Sequence, residues 1–344
     1  MGAVIVKAGK VIGTGVHWAS GFPHAEIAAL NDLTPDQTAS ATLFVTLEPC
    51  CHWGKTPPCT DRIIQHRFAK VVYGLRDPNP AVSGQGCRVL LEAGIACEQL
   101  ELPEITDFYQ SYCFWWQHHR PRVVAKLAMS LDGKIALSGG KPIAITGAAL
   151  TAFTHRQRRL ADAILTTVKT IQNDDPQLNV RLATSPDGQS SSIKNEVVSK
   201  PIYILDTHCR MSLTARIWDT ASRITLLHGA EIPSSEKTAL QALQDRGAQT
   251  VAIPQNAHGR LNLTAVLEAI GSDGIHELWV EAGGQCFSSL IQDKLVQRAH
   301  IYLAPMTLGA DAVPGLGRNT DVFVGAKDYN WQIVGRDAVC TIDY

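Results

Sequence analysis

The chain reads Pro23-His24-Ala25-Glu26 and then Thr46-Leu47-Glu48-Pro49-Cys50-Cys51-His52-Trp53-Gly54-Lys55-Thr56-Pro57-Pro58-Cys59, and these stretches decide the fold of its first half. One histidine and two cysteines can hold zinc and leave its fourth position open for water. Glu26 lies close enough to His24 to move the protons of that water without binding the metal. The stretch therefore predicts a catalytic zinc site.

The choice of cysteines follows from their spacing. A His-x-Glu segment followed by Pro-Cys is typical of zinc-dependent deaminases, whose second pair is usually Cys-x-x-Cys. Here Cys51 follows Cys50 directly, so the two side chains diverge and cannot easily share one metal. We therefore predict that Cys59, beyond a loop of eight residues, is the third ligand. A purely structural zinc, with His52 as a fourth ligand, or ordinary buried thiols are the alternatives.

Composition limits the class of protein. The chain has 344 residues, 45% of them hydrophobic and 18% charged, which is enough for two domains with sizeable cores. A net charge of −1 argues against a large nucleic-acid footprint. No apolar run approaches the ~18 residues needed to span a bilayer. Nine cysteines without a recognisable signal peptide predict a reduced, cytoplasmic protein.

Strands alternate with helices along the chain, which predicts an α/β architecture around central sheets. In the first half we expect strands at 2–6, 11–15, 42–47, 70–74 and 96–100, and helices at 24–31, from about 60, at 86–93 and at 106–119. After a linker at 118–121 we expect strands at 122–129, 163–166, 201–205, 224–227, 250–253, 277–280 and 299–303. Helices are expected there at 149–160, 236–246, 263–270 and 286–293.

The second half has short clusters of weaker specificity. Gly283-Gly284 stands between a predicted strand and a predicted helix, where backbone N–H groups can bind a phosphate; a tight turn is the alternative. Two carboxylates and an arginine gather in the segment 174–181, which could equally be a solvated turn. Spacing alone identifies no activity here.

Taken in order, the motifs resemble those of the RibD family of bifunctional riboflavin-biosynthesis proteins. They are PHAE at 23–26, TLEPC at 46–50 with TPPC at 56–59, DPNP at 77–80, SLDGK at 130–134, DDP at 174–176 with VR at 180–181, and VEAGG at 280–284. The resemblance implies an α/β protein with an N-terminal cytidine-deaminase-like three-layer domain, residues 1–119, and a C-terminal dihydrofolate-reductase-like domain, residues 120–344. It also implies a homodimer formed through the reductase domain.

For the first domain, the resemblance implies zinc-hydroxide deamination of 2,5-diamino-6-(5-phosphoribosylamino)pyrimidin-4(3H)-one. His24, Cys50 and Cys59 would bind Zn2+, and Glu26 would be the catalytic acid and base. The substrate-facing loop would contribute His52 and Lys55.

For the second domain, it implies reduction by NADPH of the ribosyl group of 5-amino-6-(5-phosphoribosylamino)uracil to ribityl. The implied cofactor contacts are Thr170, Asp174, Thr207, Gly283, Gly284, Gln285, Cys286, Phe287, Ser288 and Ser289. The implied substrate contacts are Lys126, Arg158, Leu178, Arg181 and Glu281, with the arginines suited to the phosphate.

Two departures from the family pattern qualify these expectations. Members carry an additional helix and an Asn-Pro turn before the strand at 2–6, so we hypothesise a misplaced start or a truncation that exposes apolar sheet surface. The segment 141–146 lacks the aromatic residue usual before the conserved threonine. The rival readings are a monofunctional deaminase with an inactive reductase domain, a nucleic-acid-binding protein on the deaminase fold, and a structural zinc module.

Overall fold

The computed structural model describes residues 1–18, 21–54, 57–181, 197–318 and 320–344. The backbone forms two compact units, Met1–Gln117 and His118–Tyr344. The division at 119/120, with one activity assigned to each side, stays a prediction. Among the described residues, no helix combines the length and the apolar character that crossing a bilayer requires.

The first unit is an α/β layer structure. Its elements are β1 (Gly2–Lys7), β2 (Lys10–Val16), α1 (Ala25–Ala29), α2 (Pro35–Thr38), β3 (Thr42–Leu47), α3 (Cys59–Gln65), β4 (Lys70–Leu75), α4 (Gln85–Glu92), β5 (Ala96–Gln99), α5 (Pro103–Phe108) and α6 (Gln110–His118). The sheet order is β2-β1-β3-β4-β5, antiparallel at β2-β1-β3 and parallel at β3-β4-β5.

Alternation along the strands separates the two faces of this sheet. Residues such as Leu43 and Val71 pack with α1, α3 and α4 in one buried core. On the other face, Ile105 of α5 lies against Gly74, and an open apolar cleft of about 350 Å³ remains beside it. Phe44, which lines this cleft, is therefore 39% exposed although it belongs to a central strand.

The second unit is built on a larger sheet. Its elements are β6 (Arg122–Ser130), β7 (Lys134–Ala136), α7 (Ala148–Leu160), β8 (Ala163–Thr167), α8 (Val168–Asp174), β9 (Val180–Arg181), β10 (Val197–Val198), β11 (Pro201–Leu205), β12 (Arg223–Gly229), α9 (Ser234–Asp245), β13 (Gln249–Ile253), α10 (Leu263–Ser272), β14 (Glu277–Glu281), α11 (Gly284–Gln292), β15 (Arg298–Ala304), β16 (Val313–Pro314), β17 (Asp328–Val334) and β18 (Asp337–Asp343), with 3-10 turns at Ser138–Gly140 and Arg216–Asp219.

The nine strands of this sheet follow the order β13-β12-β11-β8-β14-β6-β15-β18-β17. The strands from β13 to β15 run parallel, and β18 and β17 are antiparallel to their neighbours. Helices α10 and α11 pack on one face, and α7, α8 and α9 pack on the other. This order brings Lys126, Glu281 and Tyr302 onto adjacent strands, although they are far apart in sequence. The predicted α/β class is confirmed.

Two local expectations were wrong. The single helix predicted over 106–119 is two helices, because Tyr109 leaves the helix between them (φ −95°, ψ 5°). Its ring is thereby buried, and its hydroxyl lies 2.8 Å from Thr46 Oγ1. No strands were predicted beyond residue 303, yet β17 and β18 form a hairpin there. Three large apolar residues alternate along β17, namely Tyr329, Trp331 and Ile333, and this period of two was the signal that was missed.

Candidate active sites

The first candidate site forms where α1, the end of β3 and α3 meet. His24 is the N-cap residue of α1, so Glu26 falls in the first turn of that helix. Cys59 is the first residue of α3, whose N-terminus favours a thiolate. Cys50 follows β3 after Pro49. The three residues predicted to bind metal are therefore each held at the end of a regular element.

The ligand atoms converge without any ion. One ligand atom from each of His24, Cys50 and Cys59 lies within 4.8 Å of the other two. His24 Nδ1 is 3.2 Å from the Cys59 sulfur and 3.5 Å from the Cys50 sulfur. One nitrogen and two sulfurs with no fourth protein ligand in this group match an open zinc site. The donor set therefore fits zinc with a vacant position.

Hydrogen bonds among the three predicted ligands shift the pKa of each of them. Hydrogen bonding from Cys59 lowers the pKa of Cys50 to about 4, with a further contribution from His24. The same hydrogen bond and burial raise the pKa of Cys59. The Cys50 side chain also raises the pKa of His24 through a hydrogen bond. Binding a cation would release the remaining proton.

Glu26 is fully buried, and neither of its carboxylate oxygens has a hydrogen-bond partner among the described residues. Burial raises its pKa to about 7. A carboxyl group with such a pKa can both take and give a proton near neutral pH. Its orphaned oxygens are expected where a water molecule or a substrate completes the site.

Three further residues bear on this site, two that were predicted to contact the substrate and one that was not predicted. His52 is exposed, and Lys55 lies outside the described residues. His17, which the sequence did not single out, packs edge-on against the His24 ring with 5.3 Å between centroids. Its Nδ1 is 3.0 Å from the Pro23 carbonyl oxygen. No local pattern around His17 pointed to this contact.

The second candidate site lies on the face of the large sheet that carries α7 and α8. Lys126 of β6 is directly opposite Glu281 of β14 and His300 of β15. Burial lowers the pKa of Lys126, and the carboxylates of Glu281 and Asp174 counteract part of this effect. The Lys126 ammonium also lies 5.5 Å from the centroid of the Tyr302 ring. This lysine is therefore a half-buried side chain beside Glu281 and Tyr302.

The guanidinium group of Arg158 donates its hydrogen bonds to other residues of the protein. Its Nε lies 2.5 Å from Glu281 Oε1 and its Nη2 lies 3.0 Å from Oε2, while Nη1 donates to the Asn179 carbonyl at 2.9 Å. Trp279 Nε1 donates to Glu281 Oε1 at 2.7 Å. Burial raises the pKa of Glu281, but the Arg158 charge outweighs it and brings the pKa down to about 2. Arg158 thus holds Glu281 in place as an anion.

Leu178 and Arg181 are the other two residues predicted to contact the substrate. Leu178 has a positive φ of 47°, which is unusual for a branched residue, and its side chain is buried in the core. Only its backbone is available to a ligand. Arg181 donates to the side-chain oxygens of Gln177 and Asn179 and is exposed. Trp279 and Asn179 stand two residues before Glu281 and Arg181, and this strand spacing could have identified them.

The residues predicted to bind the cofactor fall into two groups. At the start of α11, a Cβ on Gly284 would lie 1.8 Å from the Gly315 carbonyl oxygen, whereas a Cβ on Gly283 would meet open space. Gly284 is therefore explained by packing, and Gly283 leaves room for a ligand. The Phe287 side chain lies in the core, and Ser288 Oγ accepts from the Gly317 amide at 2.8 Å.

Within the first turn of α11, the Phe287 amide already donates to the Gly283 carbonyl oxygen. The amides of Gln285 and Cys286 precede it and have no intrahelical acceptor, so they suit a phosphate. Ser289 is partly buried further along the helix.

The second group lies at the ends of β8 and β11. Thr170 shares a 3.0 Å hydroxyl contact with Thr167 at the start of α8, and Asp174 ends that helix. The Thr207 carbonyl accepts from Gly229 at 3.1 Å. Open parallel sheets bind ligands beyond the carboxyl ends of their strands, so Thr170 and Thr207, which follow β8 and β11, lie at the appropriate edge, whereas Asp174 lies at the far end of α8.

Residues 121–340 match the family model described as RibD C-terminal domain, and residues 1–75 match the cytidine and deoxycytidylate deaminase zinc-binding region. The chain is 36% identical over 314 residues to the riboflavin biosynthesis protein RibD of Haemophilus influenzae, covering 91% of this chain and 81% of that protein.

Two solved structures are similar over almost the whole chain. The Acinetobacter baumannii RibD structure, form 2, has a TM-score of 0.82 at 28% identity, covering 99% of this chain and 91% of that one. A diaminohydroxyphosphoribosylaminopyrimidine deaminase/5-amino-6-(5-phosphoribosylamino)uracil reductase from Thermotoga maritima has a TM-score of 0.79 at 27% identity, with the same coverage of 99% and 91%.

Proposed function

This chain belongs to the RibD family of riboflavin biosynthesis proteins, and from that premise we propose which of its residues carry out the two reactions of the family. It is a bifunctional enzyme, a zinc-dependent deaminase and an NADPH-dependent reductase. The predicted pairing of a cytidine-deaminase-like domain with a RibD reductase domain is confirmed. Both halves match, so nothing favours a deaminase with an inactive reductase domain.

In the deaminase, His24, Cys50 and Cys59 would hold the zinc ion. Bound there, zinc supplies a Lewis acid that makes water nucleophilic near neutral pH. Glu26 takes a proton from the attacking water and delivers it to the departing ammonia, for which a pKa of about 7 is well suited. The convergence of these ligands beside the orphaned Glu26 carboxylate is the single observation that carries this assignment. The substrate is the 2,5-diaminopyrimidinone phosphate, and His52 and Lys55 are its proposed contacts.

In the reductase, NADPH when bound would supply the hydride for reduction of the ribosyl group of the aminouracil to ribityl. The amides of Gln285 and Cys286, beside the open surface of Gly283, bind a phosphate of the cofactor. Thr170 and Thr207 lie at the same edge, and Asp174 at the far end of α8 is a further proposed contact.

On the substrate side, the anionic Glu281 accepts hydrogen bonds from sugar hydroxyls, and the half-buried Lys126 polarises the sugar. Arg181, the more exposed of the two arginines, binds the substrate phosphate. Arg158 contributes by holding Glu281, and Leu178 contributes through its backbone.

A homodimer through the reductase unit is supported by the edge strand β17. Tyr329, Trp331 and Ile333 lie on one face of that strand and are 57%, 51% and 76% exposed. An apolar strip on an unpaired sheet edge is a common association surface. If this surface forms the dimer, Trp331→Lys should give monomers in light scattering, whereas a dimeric variant would place the interface elsewhere.

The compartment and the partners are proposed from chemistry. All nine cysteines are free, and two of them must stay reduced to bind zinc, so we propose a cytoplasmic location. The net charge of −1 offers little to a polyanion, so we expect small-molecule substrates and no nucleic-acid partner.

The test is to incubate the full chain with the diaminopyrimidine phosphate substrate, with and without NADPH. Ammonia release and NADPH oxidation are followed separately. We expect ammonia in both mixtures, and cofactor oxidation only after ammonia has formed. Release of ammonia without any NADPH oxidation would leave only the deaminase assignment. Absence of stoichiometric zinc in the purified protein would remove the deaminase assignment.

A further inference from the structure

Glu48 is a buried carboxylate to which neither proposed reaction assigns a role. It follows β3 directly and is only 1% exposed. Its Oε2 accepts hydrogen bonds from the Asp77 amide at 3.3 Å and from the Gly84 amide at 2.9 Å. Its Oε1 accepts from the Cys87 amide at 3.1 Å. One side chain thus connects the end of β3 with the loop after β4 and with the first turn of α4.

The same segment is fixed by the backbone on either side of the zinc ligand Cys50. The Glu48 amide donates to the Leu75 carbonyl at 2.9 Å. A Cβ on Gly86 would lie 2.0 Å from the Pro49 carbonyl oxygen, so α4 packs directly on the peptide before Cys50. Beyond it, the Thr60 amide donates to the Cys50 carbonyl at 3.2 Å. The direction of the Cys50 sulfur therefore depends on how α4 lies against residues 48 and 49.

A carboxylate is the appropriate group for this position. Three N–H donors converge on Glu48, and an ionised carboxylate only accepts hydrogen bonds. Glutamine has nearly the same shape but would turn an NH2 group towards at least one of these donors. A buried amide without its acceptor is costly, so the surrounding segments would have to move.

The loop that Glu48 holds is the conspicuous Asp77-Pro78-Asn79-Pro80 sequence. The Asp77 carboxylate accepts from the Asn79 amide at 2.9 Å and from the Tyr112 hydroxyl at 3.2 Å. Cys50 and Asp77 are close enough for their charges to interact. Displacing Glu48 would therefore disturb the zinc ligand and this loop together.

Resting on the proposed deaminase function, we propose that Glu48 is a positioning residue for the zinc centre. It sets the orientation of Cys50 and ties the Asp77–Pro80 loop to it, without touching the metal. Residues that orient metal ligands typically change metal affinity by roughly 10- to 100-fold when replaced. A residue that only stabilised the first unit would lower its melting temperature and leave the metal geometry intact.

The test compares Glu48→Gln with Glu92→Gln. Glu92 is an exposed carboxylate on α4, the helix with which Glu48 makes a hydrogen bond. Zinc affinity is measured on the full chain by competition with a chromogenic chelator, and ligand geometry by the visible spectrum after cobalt substitution. For Glu48→Gln we expect about 10- to 100-fold weaker zinc binding and a shifted cobalt spectrum. Glu92→Gln should match the wild type in both measurements. NADPH oxidation with the deaminated aminouracil supplied as substrate reports that the second unit of each variant is folded.

Wild-type zinc affinity and an unchanged cobalt spectrum in Glu48→Gln would overturn the proposal, even if the first unit melts earlier. Should that variant fail to fold, Glu48→Asp decides, because it keeps the charge and withdraws the oxygens by one methylene. An unchanged spectrum in Glu48→Asp would equally overturn the proposal. Failure of the deaminase function itself looks different, since the wild-type chain would then lack zinc or release no ammonia.

Discussion

Replacing Arg158 with methionine removes one half of a buried ion pair and leaves Lys126 as the remaining positive charge that acts on Glu281. The Arg158 and Glu281 side chains are each 11% exposed, and they are joined at 2.5 Å between Nε and Oε1 and at 3.0 Å between Nη2 and Oε2. Only the 2.7 Å hydrogen bond from Trp279 would remain on the carboxylate. The second unit should therefore lose stability as well as activity.

The size of the loss follows from burial. Removing one partner of a buried ion pair costs roughly 3–5 kcal/mol, because the other charge stays desolvated. Each 1.4 kcal/mol is a factor of ten, so the unfolding equilibrium of the second unit should rise by roughly two to four orders of magnitude. By comparison, Arg223 pairs with Asp273 at 3.1 Å with side chains 34% and 37% exposed. This pair is more exposed than Arg158–Glu281, and an exposed pair contributes roughly 0–1 kcal/mol, so Arg223→Met is the control, although it also removes the 2.5 Å hydrogen bond from Arg223 to the Tyr203 hydroxyl.

The pair also sets a pH dependence. The pKa of Glu281 is about 2 in the folded chain, below its ordinary value of 4.5. The stabilisation is therefore complete above pH 4.5 and is lost as the pH falls from 4.5 towards 2. In Arg158→Met the pKa of Glu281 should rise, because only Lys126 and the Trp279 hydrogen bond then oppose burial, so less stability should be lost between pH 4.5 and pH 2.

Calorimetry of the full chain measures the melting of the second unit, and NADPH oxidation gives kcat and KM. Ammonia release from the first unit serves as an internal control and should not change. We expect Arg158→Met to melt earlier than Arg223→Met and to lose kcat as Glu281 is displaced. If Arg158→Met melts like the wild type and only KM rises, Arg158 binds the substrate directly and the reasoning from the ion pair is wrong.

Three further predictions concern single groups. Glu26→Gln should abolish ammonia release while leaving zinc content unchanged, because a neutral amide cannot carry the proton, and NADPH oxidation should stay normal when the deaminated aminouracil is supplied directly; normal ammonia release would exclude Glu26 as the acid and base. Burial lowers the pKa of His300 to about 4 from 6.5. Its contribution to the stability of the second unit is therefore full above pH 6.5 and is lost as the pH falls from 6.5 to 4. The loss amounts to about 3 kcal/mol. His300→Gln should flatten the pH dependence of the unfolding free energy of the second unit between pH 6.5 and 4, and an unchanged pH dependence would show that another group causes it. Removing zinc with a chelator should lower the melting temperature of the first unit alone, because His24 and its two thiols lose their common partner; an equal shift in both units would point to a different binding site.

The sequence predicted the site best where the functional residues fall within one short stretch of the chain. The types and spacing of His24, Glu26, Cys50 and Cys59 predicted one cluster, and the structure brings their side chains together. Most strands and helices also lie within a few residues of their predicted bounds, because hydrophobic periodicity is a local property. The helix break at Tyr109 was missed because it depends on a hydroxyl contact with Thr46, which is distant in sequence.

The reductase site was decided by tertiary structure. Lys126, Glu281 and Tyr302 meet only because β14 and β15 flank β6 in register, and no pattern along one strand specifies its neighbour. The sequence marked Arg158 as a phosphate ligand, whereas packing of α7 against the sheet pairs it with Glu281. Residue types determine which chemistry a chain can perform, but burial and the partners supplied by distant strands determine which charge each residue carries and which contacts remain for a ligand.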